Sequence, residues 1–213
     1  LAEARGYEMR PTPNGPLVTQ DGHLMQALTA EAWEELQAAA HEAGHEIRIS
    51  SAYRSVASQR AIFNRKLKGS TESAIDALLV FSAPPGASRH HTGYAIDIHQ
   101  AGGSFNGFGQ TQSFDWISAD NYANAKQFGF IPSYPTGAPP QGPRPESWEY
   151  VYVGTERLVP QLDEVFFYRG DWVFSIHDLR SQVVIAMFWR VFRMVSSIPG
   201  FVGLVFDCSR RQQ

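Results

Sequence analysis

The sequence has few of the residues that many cofactor and nucleic-acid sites require. Cys208 is the only cysteine among 213 residues, which excludes an internal disulfide framework and a cysteine-rich zinc site. No block of lysine and arginine is interleaved with aromatic residues, and the net charge is -3, so we expect no nucleic-acid partner. G-x-G-x-x-G, P-loop and G-x-S-x-G signatures are also missing. Histidine and carboxylate side chains therefore remain as ligands for any metal ion.

The sequence also lacks a long apolar run that is free of charge. The most apolar stretch, 183–206, carries Arg190 and Arg193 at its middle, and a charged side chain at mid-membrane costs roughly 2.5 to 3.5 kcal/mol. Apolar residues recur at helical spacing over 184–195. We therefore expect a helix there that packs on the domain or on a partner protein, with attachment to a membrane surface as the alternative.

The periodicity of apolar residues predicts helices that alternate with strands. The first helix follows Thr29, a residue type that suits an N-cap, and ends at Gly44. With 43% hydrophobic residues, the chain can bury a sizeable core. The order predicts an α+β fold with a small antiparallel sheet flanked by helices, and a C-terminal helical extension. The further helices are expected after 51–55 and over 72–79 and 121–127, and the strands at 47–49, 95–98 and 146–154.

We expect three segments along the chain. Residues 1–22 are punctuated by proline and glycine and form an N-terminal arm, residues 23–156 form the main domain, and residues 157–213 form the extension. The chain begins at Leu1 rather than at methionine, from which we expect that a leader was removed or that a longer protein was trimmed.

One short stretch, SRHHTGYAIDIH at 88–99, carries residue types that bind metals. His90 precedes Asp97 by seven residues, and both can ligate zinc, which takes three protein ligands in a catalytic site. The pair on its own is weak evidence, because a histidine near a strand aspartate usually makes a hydrogen bond or no contact at all; a polar loop that runs into a buried strand, in which Ile96 and Ile98 face the core, explains it as well.

The wider pattern identifies a family. Ser88, His90, Gly93, Ala95 and Asp97 match S-x-H-x-x-G-x-A-x-D, and the chain resembles the LAS-type zinc peptidases, the D-alanyl-D-alanine carboxypeptidase and dipeptidase family that trims peptidoglycan. The resemblance runs from about 23 to 154 and makes 23–156 a LAS-type peptidase domain. Four more segments resemble the family in its order: SAYRS with Gln59, APPG before Ser88, NAKQFGF at 124–130, and ESWEYVYVG at 146–154.

The resemblance implies catalytic roles for four residues. His90 and Asp97 correspond to zinc ligands, Glu146 to the general base, and Arg54 to the side chain that steadies the scissile carbonyl and the oxyanion formed from it. The chemistry is coherent, because zinc lowers the pKa of a bound water to ~7, a carboxylate takes the proton, and a fixed cation holds the developing negative charge.

The resemblance also implies a substrate and a location. Gln59 and Ser88 correspond to supporting polar positions that bind substrate. Trp148 either shapes the pocket wall and contacts substrate or fills the core beneath the sheet. The implied partner is a D-Ala-containing peptidoglycan stem peptide, and the implied location is the cell envelope, periplasmic or extracellular. The motifs do not separate carboxypeptidase, dipeptidase and endopeptidase activities, because those depend on the loops that close the pocket.

The sequence departs from the family at one position. The family's third zinc ligand is the histidine of E-x-W-H, and Glu149 stands there in this chain. Glutamate is an accepted zinc ligand, but one histidine with two carboxylates makes a more anionic site, which weakens zinc or favours another divalent ion such as Mn or Ca. His91 and His99 are alternative third ligands.

Three interpretations stay open at this stage. The chain is a working peptidase with Glu149 as a ligand, a catalytically impaired domain that binds cell-wall peptide, or an active enzyme into which an inactivating substitution was introduced.

Overall fold

The computed structural model describes residues 1–138 and 141–155, together with the backbone of two strands further on. The chain divides into two units, Leu1–Thr155 and Glu156–Gln213. The first unit contains all the residues for which a catalytic, substrate-binding or metal-binding role was predicted.

An antiparallel sheet forms the centre of the first unit. Two short strands, β1 (Val18–Gln20) and β2 (His23–Met25), first pair as a hairpin. The strands of the central sheet then lie in the order β3-β4-β6-β5, and every pairing in it is antiparallel. This arrangement confirms the predicted α+β class. The four strands are β3 (Ile47–Ser51), β4 (Ala95–Gln100), β5 (Phe130–Tyr134) and β6 (Glu146–Tyr152).

The first unit contains four α-helices among its described residues, and side-chain caps define the start of three of them. The hydroxyls of Ser55, Thr71 and Thr111 accept hydrogen bonds from backbone N–H groups in the first turns of α2, α3 and α4, which satisfies donors that a helix leaves unpaired. The helices are α1 (Ala27–Glu42), α2 (Val56–Lys66), α3 (Glu72–Leu79) and α4 (Gln112–Lys126).

The predicted N-cap of α1 was wrong. The helix begins at Ala27, and Thr29 is fully buried within it. Gln26 precedes the helix, donates its backbone N–H to the Gly93 carbonyl at 3.0 Å, and donates its side-chain amide to the Thr92 carbonyl at 3.2 Å. A tertiary contact with the segment before β4 therefore fixes the start of α1, and local sequence preference does not.

Helix α4 also differs from the prediction of a helix over 121–127. The helix begins at Gln112, and its φ/ψ angles become non-helical at Ala119, with left-handed values from Asp120 to Tyr122. The amide of Asn124 donates to the Trp116 carbonyl at 2.7 Å and so bridges the break. The predicted start at 121 thus falls inside the interruption of a longer helix.

The main core lies between α1, α4 and the sheet. Ala95, Ile96 and Ile98 of β4 are all fully buried, because this central strand is covered on both faces. A second, smaller cluster joins Tyr7 and Phe63 to Leu79. Burying one such large apolar side chain contributes about 1.5 to 3 kcal/mol, so the core holds β4 firmly in place.

The N-terminal arm packs against α3. The Arg5 guanidinium makes two hydrogen bonds of 2.7 Å to the Asp76 carboxylate, and the Tyr7 hydroxyl donates to the Leu79 carbonyl at 2.6 Å. The Gly142 N–H donates to the Arg5 carbonyl at 2.9 Å. The arm therefore holds α3 and the loop before β6 together.

The second unit is described only in part. Strands β7 (Glu164–Tyr168) and β8 (Asp171–Ser175) pair as an antiparallel hairpin, which the sequence analysis did not anticipate within a helical extension. The helix predicted over 184–195, and with it the surface 183–206, lies outside the described residues. Within the described part of the chain, no helix has the length and apolar character needed to cross a membrane.

Candidate metal centre and active site

Three side chains converge on one buried point at the centre of the sheet. The Nε2 atom of His90 lies 3.3 Å from Asp97 Oδ1 and 3.3 Å from Glu149 Oε2. One nitrogen or oxygen atom from each of the three residues lies within 4.8 Å of the others. All three residues are at most 7% exposed. A histidine nitrogen and carboxylate oxygens in this arrangement can hold a divalent ion.

The sheet register brings the two carboxylates together. Asp97 on β4 and Glu149 on β6 are direct cross-strand partners, and such partners on one face lie within about 5.5 Å at their Cβ atoms. His90 comes from a short 3-10 helix, Arg89–Thr92, which leads into β4 and ends at Gly93. Gly93 has a φ of +75° and lies against Leu17, so a side chain there would be strained and crowded.

A backbone contact orients the His90 ring. Its Nδ1 atom lies 2.6 Å from the Ala52 carbonyl, which accepts the hydrogen bond. In the neutral ring this leaves Nε2 unprotonated and directed at Asp97 and Glu149. Metal-binding histidines commonly have such a partner on the other ring nitrogen, because it fixes the tautomer and the ring orientation.

The electrostatics of the group favour a cation. Burial by itself lowers the pKa of His90, but Asp97 and Glu149 outweigh it and raise the pKa to about 10. Asp97 Oδ1 and Glu149 Oε1 are also buried without a hydrogen-bond partner among the described residues, although buried carboxylate oxygens are normally paired. The donor set therefore fits a divalent ion, which would satisfy both oxygens and replace the proton on His90.

The two alternative histidines lie outside this group. His91 is fully buried, accepts from the Gly86 N–H at 3.0 Å and donates to the Arg54 carbonyl at 2.6 Å. His99 is bonded to the Ser50 hydroxyl at 2.7 Å. Both rings therefore have hydrogen-bond partners of their own, and Glu149 is the third member of the group.

Arg54 lies beside the group and is held by a chain of hydrogen bonds. Its guanidinium donates to Gln59 Oε1 at 2.7 Å and to the Ser51 hydroxyl at 3.0 Å, and lies 3.7 Å from Asp97 Oδ2. Gln59 is 1% exposed and donates to the Ala83 carbonyl at 2.6 Å. Gln59 therefore fixes the position of Arg54. It also lines the pocket, and its predicted supporting role in substrate binding stays a prediction.

Glu146 lines the same pocket but does not belong to the three-residue group. Burial raises its pKa, the negative charges of Glu149 and Asp97 raise it further, and the result is about 9. Without a cation the carboxyl therefore keeps its proton at neutral pH. A divalent ion at the three-residue group would offset the charges of Asp97 and Glu149, lower this pKa and leave Glu146 ionised, which a general base requires.

An irregular pairing places Glu146 and Glu149 around one pocket. In a regular strand two residues three apart point to opposite faces. Here Pro132 of β5 pairs with Tyr150 of β6, and Tyr134 of β5 pairs with Glu146 of β6. A step of two positions along β5 therefore corresponds to a step of four positions along β6, which is a bulge in β6. The bulge re-aims the side chains between them.

The pocket that contains these groups has a volume of about 360 Å³, within the range of small-molecule sites. Ser88 lines it and is 3% exposed. Trp148 lines it as well and contacts the ring of Phe105 edge-on, with centroids 5.4 Å apart. Trp148 also packs against the main core, so it forms part of the pocket wall and covers the core; its contact with substrate stays a prediction.

Several pocket residues had no signal in the sequence analysis. Tyr134 is 5% exposed, and burial together with the charge of Glu149 raises the pKa of its hydroxyl. The other lining residues come from the end of α2, the loop after α3, the 3-10 helix Phe105–Gln110 and the loop before β6, so only the tertiary fold joins them to the site. They include Lys66, Phe81, Asn106 and Arg144.

A buried histidine and two carboxylates on an antiparallel sheet, with another carboxylate and an arginine in the same pocket, define a candidate hydrolytic metal site in an α+β domain. The family model described as VanY, D-alanyl-D-alanine carboxypeptidase, matches residues 22–155. The chain belongs to this family, which confirms the resemblance seen in its motifs.

Related proteins agree with this assignment. The D-alanyl-D-alanine carboxypeptidase of Enterococcus faecalis is 32% identical over 115 residues, which are 51% of this chain and 40% of that protein. VanYB in complex with D-alanine-D-alanine has a TM-score of 0.56 at 26% identity, over 70% of this chain and 84% of its own. A vancomycin-resistance D,D-pentapeptidase VanY variant in complex with Zn(II) has a TM-score of 0.55 at 28% identity, over 69% of this chain and 85% of its own. The chain spans about two fifths of the length of the curated relatives that it matches.

Proposed function

We propose that this chain is a zinc-dependent carboxypeptidase that hydrolyses the terminal peptide bond of D-Ala-ended peptidoglycan stem peptides. One observation carries the proposal: His90, Asp97 and Glu149 meet within 4.8 Å, and Glu146 and Arg54 line the same pocket. Zinc is the ion in one related structure, and a more anionic site also accommodates Mn or Ca.

Each residue has a distinct task in this proposal. A divalent ion at the group would acidify water and polarise the scissile carbonyl. Glu146, ionised when a cation offsets the neighbouring carboxylates, takes a proton from the attacking water and returns it to the leaving amine. Arg54 donates hydrogen bonds to the carbonyl oxygen as negative charge develops there. Gln59 keeps the guanidinium in position, and Ser88 offers a hydroxyl to the peptide.

One relative and the family itself support the proposed substrate. VanYB was solved with D-alanine-D-alanine, and the family is described by the same dipeptide. We place the reaction in the cell envelope, where peptidoglycan is found. The second candidate is a domain that binds such peptides without cutting them, and the paired carboxylates around a single histidine favour it, because extra negative charge weakens the Lewis acidity of an ion.

The test measures release of D-alanine from acetyl-Lys-D-Ala-D-Ala. Protein stripped with a chelator and protein reloaded with one equivalent of zinc are compared, and metal content is measured in the same samples. We expect release only from the loaded protein. His90→Ala should lose both metal and release, whereas His99→Ala, two residues from Asp97 on the same strand, should keep both. Peptide binding without release in the loaded protein would favour the second candidate.

A further inference from the structure

The pocket carries opposite charges at its floor and at its mouth. The three carboxylates that line it are Asp97, Glu146 and Glu149, which surround the candidate metal centre. Lys66 and Arg144 line it too, and both are exposed to solvent. Among the described lining residues there is no carboxylate outside the floor. The mouth of the pocket is therefore positively charged, and its floor carries the negative charges.

The two mouth cations, Lys66 and Arg144, come from different elements. Lys66 is the last residue of α2. Arg144 lies in the loop before β6, donates its backbone N–H to the Val80 carbonyl at 3.0 Å, and holds its guanidinium 4.3 Å from the centre of the Phe81 ring. This contact and the backbone bond hold Arg144 at the mouth, so its charge has a defined position.

Neither mouth cation forms an ion pair with another described residue. Within the described part of the chain, no carboxylate oxygen lies within 4.0 Å of Lys66 or Arg144. By contrast, Arg5 is paired with Asp76 at 2.7 Å. Two such cations at one opening can bind a negatively charged group of a ligand.

A peptide whose end is bound at the floor must have the rest of its chain pass through this mouth. The bond to be cut lies at the candidate metal centre, and the rest of the chain, upstream of that bond, extends towards solvent. We propose that Lys66 and Arg144 bind a side-chain carboxylate upstream of the scissile bond, so that the site selects acidic peptides. This inference rests on the proposed function, because it takes the bound chain to be a peptide with its cleaved end at the floor.

The test uses a matched pair of peptides, acetyl-Glu-D-Ala-D-Ala and acetyl-Gln-D-Ala-D-Ala, which differ by one charge and have nearly the same shape. We expect kcat/KM of the zinc-loaded protein to be higher for the Glu peptide by about fivefold for each cation engaged, the upper end for an exposed ion pair. Lys66→Gln and Arg144→Gln should each reduce this ratio. About 1 M NaCl should reduce it as well, since it screens charges beyond ~3 Å.

The matched control is Lys68→Gln, which removes the same charge from an exposed residue two positions beyond Lys66 and outside the pocket. It should leave the ratio unchanged, and an equal fall in Lys68→Gln would show that only net charge matters, against the proposal. A third peptide, acetyl-Gln-D-Ala-D-Ala amide, tests whether the terminal carboxylate is what the mouth cations bind. If Lys66→Gln and Arg144→Gln affect only the preference for a free terminus, the inference is overturned.

Calorimetric titration of the same peptides separates this inference from the proposed function. A protein that binds the Glu peptide about fivefold more tightly than the Gln peptide, without releasing D-alanine, retains the selectivity and loses the proposed hydrolysis. Equal affinities and equal rates for the two peptides, or no binding of either, would overturn the inference.

Discussion

Replacing Glu146 by glutamine separates its role in catalysis from a role in the fold. Glu146 is outside the three-residue group, so Glu146→Gln should retain the metal. General-base catalysis contributes about 100-fold or more, so D-alanine release should fall by at least that factor. If the native chain is inert, the same comparison is made in the Glu149→His background.

The same variant has a calculable effect on stability. Burial, then Glu149 and Asp97, raise the pKa of Glu146 from 4.5 to about 9. At pH 7 the folded metal-free protein therefore holds a proton that the unfolded chain has released, and stability falls as pH rises from 4.5 towards 9. The gap of about 2.5 pH units between 4.5 and 7 corresponds to at most ~3 kcal/mol of lost stability. Glutamine never ionises and removes this cost.

The assay combines metal content, thermal denaturation of the chelator-treated protein and D-alanine release on one preparation. We expect retained metal, an unchanged or raised Tm, and a large loss of rate. If Glu146 merely secures the start of β6 after the preceding loop, the variant should show a lowered Tm with nearly normal release, and that result would refute the reasoning.

Three further outcomes follow from the site. Glu149→His should bind zinc more tightly in a competition titration and release D-alanine faster, because replacing the carboxylate by a neutral imidazole removes one negative charge from the centre. An unchanged zinc dissociation constant would count against this prediction. Zinc affinity should rise with pH by about tenfold per unit between 6 and 9, because the metal must displace the proton of His90, and a flat profile would contradict that proton competition. Gln59→Leu should keep the metal but lower kcat at least about tenfold, because Arg54 loses the bond that fixes it, and full kcat would remove Gln59 from the positioning chain.

Many of the secondary-structure elements and most of the candidate site residues were predictable, because they lie in short sequence motifs. The stretch 88–99 contains both His90 and the strand that carries Asp97, and β6 lies within 146–154. Alternating apolar residues also predicted β3, β4 and β6, whereas the fourth strand of the sheet, β5, was not predicted. The structure brings His90, Asp97 and Glu149 together, as the order of the family's motifs implied.

What escaped prediction depends on contacts between distant segments. Strict alternation along β6 separates Glu146 from Glu149, and only the irregular pairing with β5 places both around one pocket. The start of α1 depends on bonds from Gln26 to the segment before β4. Lys66 and Arg144 are 78 positions apart by the numbering and meet at the mouth only through the packing of α2, α3 and the loop before β6.

The central claim is that this chain holds a catalytic divalent ion on one histidine and two carboxylates. The most direct test is a crystal structure of the zinc-loaded protein with an anomalous difference map at the zinc edge. The account predicts one strong peak at about 2.0 to 2.1 Å from His90 Nε2, with Asp97 and Glu149 as the other protein ligands. A peak elsewhere, or a Glu149 carboxylate turned away from the ion, would contradict it.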